Sequence, residues 1–183
     1  NLNDDVSQSG FSTGFHLGFI RDIPINKRRN FAIGLGAGLS SNSYNQNIII
    51  SEVDGGYNYE IFDSDINVTK NKFTTYLLDI PLEFRWRTST PTVNRFWRVY
   101  PGFKFSYLFY NSTKTRSDLG RIDLANVDDF EELQYGLTLS VGYGDWNFHF
   151  YYALNPIFKD TAQLNGQPID ISAMKIGIMF YIL

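Results

Sequence analysis

Bulky apolar residues alternate with small or polar residues through most of this chain. In residues 31–40, for example, Phe31, Ile33 and Leu35 take alternate positions, and alanine or glycine stands between them. A period of two is that of a β-strand, whose successive side chains point to opposite faces of a sheet. The pattern predicts seven strands, in residues 11–20, 31–40, 73–87, 97–110, 133–143, 146–154 and 174–182. It predicts no helix.

The two faces of these strands differ in a way that identifies their surroundings. One face carries most of the large aromatic residues, and the other is glycine-rich or charged. If the apolar face pointed inward, the Phe, Tyr, Trp and Leu side chains of seven or eight strands would overfill a small barrel. Apolar-out and polar-in is the arrangement of a transmembrane β-barrel, and about ten residues per strand span a bilayer when tilted. We therefore expect an all-β fold, an antiparallel up-and-down barrel in the bacterial outer membrane, rather than a soluble barrel.

Composition agrees with this expectation. Aromatic residues make up 17% of the chain and glycine contributes 15 residues, a combination typical of membrane barrels. No apolar run reaches the roughly 18 residues of a membrane-spanning helix. The absence of cysteine excludes disulfides, thiolate metal sites and cysteine nucleophiles. A formal net charge of −3 gives no indication of a nucleic-acid partner.

The connections between predicted strands alternate between short and long. Residues 21–30, 88–95 and 144–145 are the short ones. Residues 41–72, 111–130 and 156–170 are the longer ones. Short periplasmic turns and longer extracellular loops are the outer-membrane pattern. Within the first long connection, segments 47–53 and 57–62 flank Asp54-Gly55-Gly56, which predicts a hairpin above the membrane.

The strand count carries a further expectation. Residues 1–183 are interpreted as a single barrel domain. Its seven predicted strands are an odd number, and this number places residues 1–10 on the extracellular side. Single-chain bacterial barrels have an even number of strands. We therefore expect eight strands in the full-length protein, with one upward strand preceding Asn1. The alternative is a strand missed or merged within residues 41–72.

Three segments carry the motifs of a known family. They are residues 14–19 with Asp22-Ile23-Pro24-Ile25, the run Tyr76-Leu77-Leu78-Asp79-Ile80-Pro81-Leu82-Glu83-Phe84-Arg85, and residues 175–181. They resemble the second, the most recognisable and the last strand of the PorT-like outer-membrane β-barrel family of Bacteroidota. That family's first strand has no counterpart here. Some of its members act in type IX secretion and gliding motility, so the resemblance implies a role beside a larger outer-membrane complex.

Six charged residues should face the lumen by the same alternation: Asp79, Glu83, Arg85, Arg98, Lys104 and Lys175. An eight-stranded barrel is just wide enough to be filled by side chains, and buried charges persist when they are paired. We interpret the six as an ionic plug that fixes strand register, with a conduction or binding path as the alternative. A glycosidase-like carboxylate pair of Asp79 and Glu83 is disfavoured by the neighbouring cations. Pro81 within a strand implies a local bulge or a broken ladder bond.

The remaining candidates are structural or peripheral. Near strand ends, the residues interpreted as interfacial anchors are Trp86, Trp97, Tyr110, Tyr143 and Trp146. Thr161, in Asp160-Thr161-Ala162, matches an O-glycosylation motif of Bacteroidota. His16 and His149 point inward without metal-ligand spacing, and Lys27-Arg28-Arg29 is a basic periplasmic turn. No catalytic grouping, cofactor motif or metal motif is found, so we expect no enzymatic activity, no cofactor and no bound metal.

Three functions remain open. The first is an accessory or structural subunit of a larger outer-membrane complex for secretion, uptake or barrel assembly. Its partners would be outer-membrane lipids and another outer-membrane protein or lipoprotein. The second is a free-standing surface barrel whose loops 41–72 and 111–130 bind a partner or ligand. The third is a narrow pore.

Overall fold

The strands of this protein account for most of its described residues. The computed structural model describes residues 8, 10–61, 68–88, 96–118, 120–144 and 146–181. The strands are β1 (Thr13–Pro24), β2 (Phe31–Asn45), β3 (Ile48–Val53), β4 (Gly56–Ile61), β5 (Val68–Arg87), β6 (Trp97–Ser117), β7 (Gly120–Ala125), β8 (Leu133–Tyr143), β9 (Trp146–Ala153), β10 (Gln163–Leu164), β11 (Gln167–Pro168) and β12 (Met174–Met179). This confirms the all-β prediction. The described residues form no helix long and apolar enough to cross a membrane.

One curled antiparallel sheet contains all seven predicted strands. Its order is β1-β2-β5-β6-β8-β9-β12, and β7 pairs with β6 beside this path. Outward side chains along β5, such as Leu78, Ile80 and Leu82, are about 45% exposed and form an apolar band. Inward side chains between and beyond them on the same strand, such as Thr75, Asp79 and Glu83, are polar and buried. In the part of the chain that the structure describes, β1 and β12 each pair on one side, and no pair joins them.

Two central strands are longer than their hydrophobic patterns predicted. β5 has 20 residues and β6 has 21, so residues 111–117, expected in a loop, belong to β6. The apolar band ends at Tyr76 and Tyr110, beyond which outward positions carry Thr, Ser, Lys and Arg. Backbone pairing continues past the bilayer boundary, where the hydrophobic signal of a membrane strand stops.

A bulge lies at that boundary, and it is not at Pro81. Tyr76 is opposite Tyr110 and Leu77 is opposite Leu108, which leaves Phe109 as an extra residue in β6. Phe109 and Tyr110 both point outward as a result. Pro81 keeps its register opposite Lys104, while the ladder between β2 and β5 is interrupted beside it. Of the two alternatives predicted for Pro81, the structure shows the broken ladder bond and no bulge. Proline lacks only the backbone donor, so the ladder to β2 is interrupted while the register is kept.

The predicted hairpin in the first long connection is present. β3 and β4 pair from Ile48 opposite Ile61 to Val53 opposite Gly56. Asp54 and Gly55 form the two-residue turn with φ of 50° and 79°, as a type I′ turn requires. Phe62 lies outside the described residues. This hairpin is a sheet of its own, so it is not the merged barrel strand that the alternative interpretation required.

Short and long connections lie at opposite ends of the sheet. Residues 25–30 and the turn at Gly144 lie at one end, with residues 89–95 and 145 outside the described chain. The β3–β4 hairpin, β7 and residues 154–173 lie at the other end. We assign the first end to the periplasm and the second to the cell exterior. Gln8 bridges Gln46 at the exterior end, where residues 1–10 were expected, and residues 1–7 and 9 lie outside the described chain.

Candidate functional site

The middle of the concave face holds a buried charged cluster around Asp79. Ser106 Oγ donates a hydrogen bond to Asp79 Oδ1 at 2.6 Å, and Lys104 Nζ donates to Oδ2 at 3.4 Å. His16 Nδ1 lies 3.5 Å from the same Oδ2. Asp79 and Lys104 are 5% and 6% exposed. The carboxylate therefore has partners on β1 and β6 and joins three strands across the interior.

A second cluster lies nearer the periplasmic end. The Arg85 guanidinium forms a short ion pair with Asp22, and Arg87 Nη1 lies 3.0 Å from the other oxygen of that carboxylate. Arg85 Nε is also 3.4 Å from Glu83 Oε2, an ion pair without hydrogen-bond geometry. The guanidinium carbon sits 4.2 Å from the centre of the Tyr100 ring. Cation and ring therefore pack together on the inward face near the periplasmic end.

Lys175 and Arg98 lie outside both ion-paired clusters. The Lys175 ammonium lies 5.0 Å from the ring centre of Tyr151 and 5.5 Å from that of Tyr44. Arg98 Nη1 donates to Asn147 Oδ1 at 3.4 Å, and its guanidinium lies 4.7 Å from the Phe96 ring. Aromatic faces and an amide thus take the place of carboxylates around these two cations.

Inward glycines make room for these long side chains. A Cβ at Gly34 would lie 2.7 Å from Arg85 Cδ, and one at Gly136 would lie 2.7 Å from the Tyr151 ring. Both distances are shorter than real Cβ atoms allow. Glycines on the inward face of one strand therefore leave the space that charged and aromatic side chains of the neighbouring strands occupy.

The six residues proposed as one ionic network are thus divided among four surroundings. Asp79 and Lys104 share the middle cluster, Glu83 and Arg85 share the lower one, and Lys175 and Arg98 stand apart. Sequence reasoning missed Asp22, which holds the lower cluster together. Continuing the alternation of residues 11–20 by one more inward step would have found it.

The two inward histidines have separate partners. His16 faces Asp79, and His149 Nδ1 lies 2.8 Å from Ser140 Oγ. Among the residues that the structure describes, no group of three or more His, Cys, Asp or Glu side chains is arranged to hold a metal ion.

An apolar cap covers the exterior end of the lumen. Its core is built from β3, β4 and the loops around residues 127–130 and 154–173. The Phe73 ring stacks on Tyr44 at 4.9 Å and meets Phe130 edge-on at 5.3 Å, and Phe130 lies 4.6 Å from Phe158. Phe73 and Tyr44 belong to barrel strands, so the cap packs directly on the barrel wall.

Asp129 ties the cap together from its polar side. Tyr59 OH donates to Asp129 Oδ2 at 2.9 Å, and Thr161 Oγ1 donates to Oδ1 at 2.7 Å. Burial, and then the bond to this carboxylate, raise the pKa of the Tyr59 hydroxyl above its ordinary range. Thr161, the candidate glycosylation residue, is exposed, but its hydroxyl is engaged in this contact.

The proposed aromatic anchors lie on the outer face. Trp97 is 5.2 Å from Tyr143, and Trp146 is 5.6 Å from Phe180, both toward the periplasmic end. Tyr110 is 5.6 Å from Tyr76 at the exterior boundary of the apolar band. Trp86 is half-buried at the periplasmic end of β5. Tyrosine and tryptophan at both edges of an apolar band are the girdles of a membrane barrel.

The comparisons with known proteins agree with this geometry. A family model described as outer membrane protein beta-barrel domain matches residues 1–159. No curated protein and no solved structure matches the chain. The match covers most of the sequence, and it includes the strands that carry the two charged clusters. The chain therefore belongs to the outer membrane protein beta-barrel domain family and is a β-barrel protein of the bacterial outer membrane.

Proposed function

We propose that this protein is a non-conducting accessory or structural subunit of a larger outer-membrane complex for secretion, uptake or barrel assembly. The observation that carries the proposal is the dense packing of side chains on the inward face of the sheet. Charged and aromatic side chains occupy the lumen at two levels, and the apolar cap covers its exterior end. A barrel with this interior contributes its outer surface and its two ends to function.

The same observation disfavours a pore. An ion that entered from the periplasm would meet Arg85 between the rings of Tyr100 and Tyr181. Farther on it would meet the pair of Asp79 and Lys104 and then the apolar cap, which offers no ligands to a desolvated ion. The proposal also assigns no enzymatic role, because the lumen carboxylates are engaged by neighbouring cations and hydroxyls.

The partner in this proposal is another outer-membrane protein or a lipoprotein. Resemblance to the PorT-like family supports a place beside the type IX secretion machinery, through the motifs at residues 14–19, 76–85 and 175–181. The outer face supports contact within the membrane, since its aromatic side chains form rigid, partly polar surfaces of the kind enriched at protein interfaces.

A free-standing surface barrel is the second candidate. The cap favours it in one respect, because a packed core of loops presents a fixed surface to the cell exterior. The β3–β4 hairpin is joined to residues 127–130 and 154–173 in that core. In this case the cap's outer surface would bind the ligand, and no membrane partner would be needed.

One experiment separates these functions. The tagged protein is purified in mild detergent from its own outer membrane, and co-migrating proteins are identified by mass spectrometry. We expect a stoichiometric outer-membrane protein or lipoprotein whose own assembly fails when this protein is deleted. A monomer with no dependent protein would replace the proposal with the surface-barrel function. In planar bilayers the purified protein should give a flat current trace, and stepwise conductance would refute a non-conducting role.

A further inference from the structure

A patch of basic side chains lies on the outer face of the sheet above the apolar band. We call it the exterior basic patch. Its members, all at outward positions of β5, β6 and β7, are Lys70, Lys72, Lys114, Arg116 and Arg121. The chain as a whole carries a formal net charge of −3, so this concentration of positive charge is local.

Cross-strand pairing brings these like charges directly opposite one another. Lys72 is opposite Lys114, and Arg116 is flanked by Lys70 on one side and Arg121 on the other. Facing residues of like charge on adjacent strands, with Cβ atoms about 5 Å apart, destabilise a sheet. Asp123 lies on the same face, directly opposite Lys114, and its carboxylate is ion-paired with Arg121. Because this one carboxylate faces both Arg121 and Lys114, the exterior basic patch keeps an excess of positive charge.

The height of the patch matches that of lipid headgroups. Tyr76 and Tyr110 mark the exterior edge of the apolar band, and Lys72 and Lys114 stand four residues farther along their strands. At about 3.3 Å per residue and a tilt near 40°, this places the patch roughly 10 Å above the tyrosines. The side chains point sideways into the membrane plane, as the lipid-facing residues below them do.

We propose that the exterior basic patch binds the phosphorylated headgroup of an outer-leaflet lipid such as lipid A. A phosphate between Lys72 and Lys114 would neutralise the like-charge pair. The Arg116 guanidinium can donate two parallel hydrogen bonds to two further oxygens of the phosphorylated headgroup. A lipid fits better than a soluble acidic protein, because the patch continues the lipid-facing side of β5 and β6 rather than the top of the cap.

The test uses the full protein refolded in zwitterionic micelles and titrated with bisphosphorylated lipid A. The variant Lys72→Gln/Lys114→Gln/Arg116→Gln removes three charges from the patch. The control Lys27→Gln/Arg28→Gln/Arg29→Gln removes three charges from the periplasmic turn. We expect the first variant to weaken binding about a hundredfold, since each Lys or Arg near an anionic surface contributes roughly a factor of five. The control should bind as the unaltered protein does.

Further arms identify the ligand and guard against misfolding. Dephosphorylated lipid A should bind weakly to every form, and inorganic phosphate at millimolar concentration should not compete. Lys72→Arg/Lys114→Arg should retain binding, and all variants should keep the heat-dependent gel shift of a folded barrel. Equal binding by the patch variant, or equal binding of dephosphorylated lipid, would overturn the proposal. Competition by inorganic phosphate at the same concentration as the lipid would indicate a site for free anions. Preferential binding of an acidic protein would indicate a protein interface. Either result would also overturn the proposal.

Discussion

Lys104 reaches diagonally across the β5–β6 pair to Asp79, with 3.4 Å between Nζ and Oδ2. The residue directly opposite Lys104 is Pro81, and the one directly opposite Asp79 is Ser106. Asp79 therefore receives one contact straight across the pair and one from the diagonal position. Its carboxylate compensates a lysine that is 6% exposed, and this relationship makes the middle cluster sensitive to the loss of one charge.

Replacing Asp79 with Asn should destabilise the barrel strongly. The substitution preserves shape but leaves the Lys104 ammonium buried without its counter-charge, at a cost of about 3 kcal/mol. Urea titration of the refolded protein in micelles measures the free energy of unfolding. The double variant Asp79→Leu/Lys104→Met should recover most of the loss, and a double variant as unstable as Asp79→Asn would show that the pair is not the cause.

Gly34→Ala should destabilise the protein by about 1–3 kcal/mol, because the new methyl group would overpack the lumen against Arg85. A Cβ there would lie 2.7 Å from Arg85 Cδ and 3.0 Å from Ile20 Cδ1. Ala37→Val adds more volume to the same strand but on its outer face, and it should cost little. Thermal unfolding of both variants in the same micelles makes the comparison, and equal losses would contradict the fit of Gly34 to Arg85.

Phe158→Ala should open the cap while leaving the barrel folded. The ring is 1% exposed and contacts Phe130 and Phe73. Its removal leaves a cavity and should destabilise the cap by about 3–5 kcal/mol. Limited proteolysis of whole cells should then cut the exterior loops, with the membrane-embedded strands protected. Phe148→Ala removes the same ring from a lipid-facing position that is 57% exposed and should leave the loops resistant.

The cap should loosen in alkaline solution through Tyr59. Its pKa is raised in the folded cap, so the folded form holds the phenolic proton more tightly than the open form does. Stability from this group is therefore complete below about pH 10 and falls as the pH rises above it. Hydrogen exchange of the β3–β4 hairpin against pH measures the effect. Tyr59→Phe should lose the bond to Asp129 and also this alkaline dependence; an unchanged profile would exclude Tyr59 as the source.

The seven strands of the main sheet were predictable because lipid and lumen impose opposite demands on alternate residues. Leu78 and Ile80 face lipid while Asp79 between them faces the interior, so apolar and polar residues alternate with a period of two in the sequence. The exterior halves of β5 and β6 lie in water on their outer side. There Lys72 and Thr74 are as acceptable as any apolar residue, and the signal fades although the pairing continues.

The contacts within the lumen were less predictable than the faces. Alternation places Asp79, Glu83 and Lys104 inward, but their partners depend on the register of neighbouring strands. The packing of the cap could not be predicted from alternation, although the β3–β4 hairpin within it was. Its core joins Tyr59 on a hairpin, Val127 in a turn and Phe158 in a long loop, and no repeating pattern links such positions in sequence.

The direction of the two edge strands limits how this sheet can meet another. Every neighbouring pair along the path is antiparallel, so β1 and β12, separated by five strands, run the same way. One strand placed between them would oppose both and complete a uniform antiparallel ring. Two copies standing upright in one membrane would instead align their edges as parallel neighbours, in whichever combination they met. Any strand that pairs in antiparallel fashion with both edges of the described sheet must therefore run opposite to β1 and β12, and an edge strand of an upright second copy does not meet that condition.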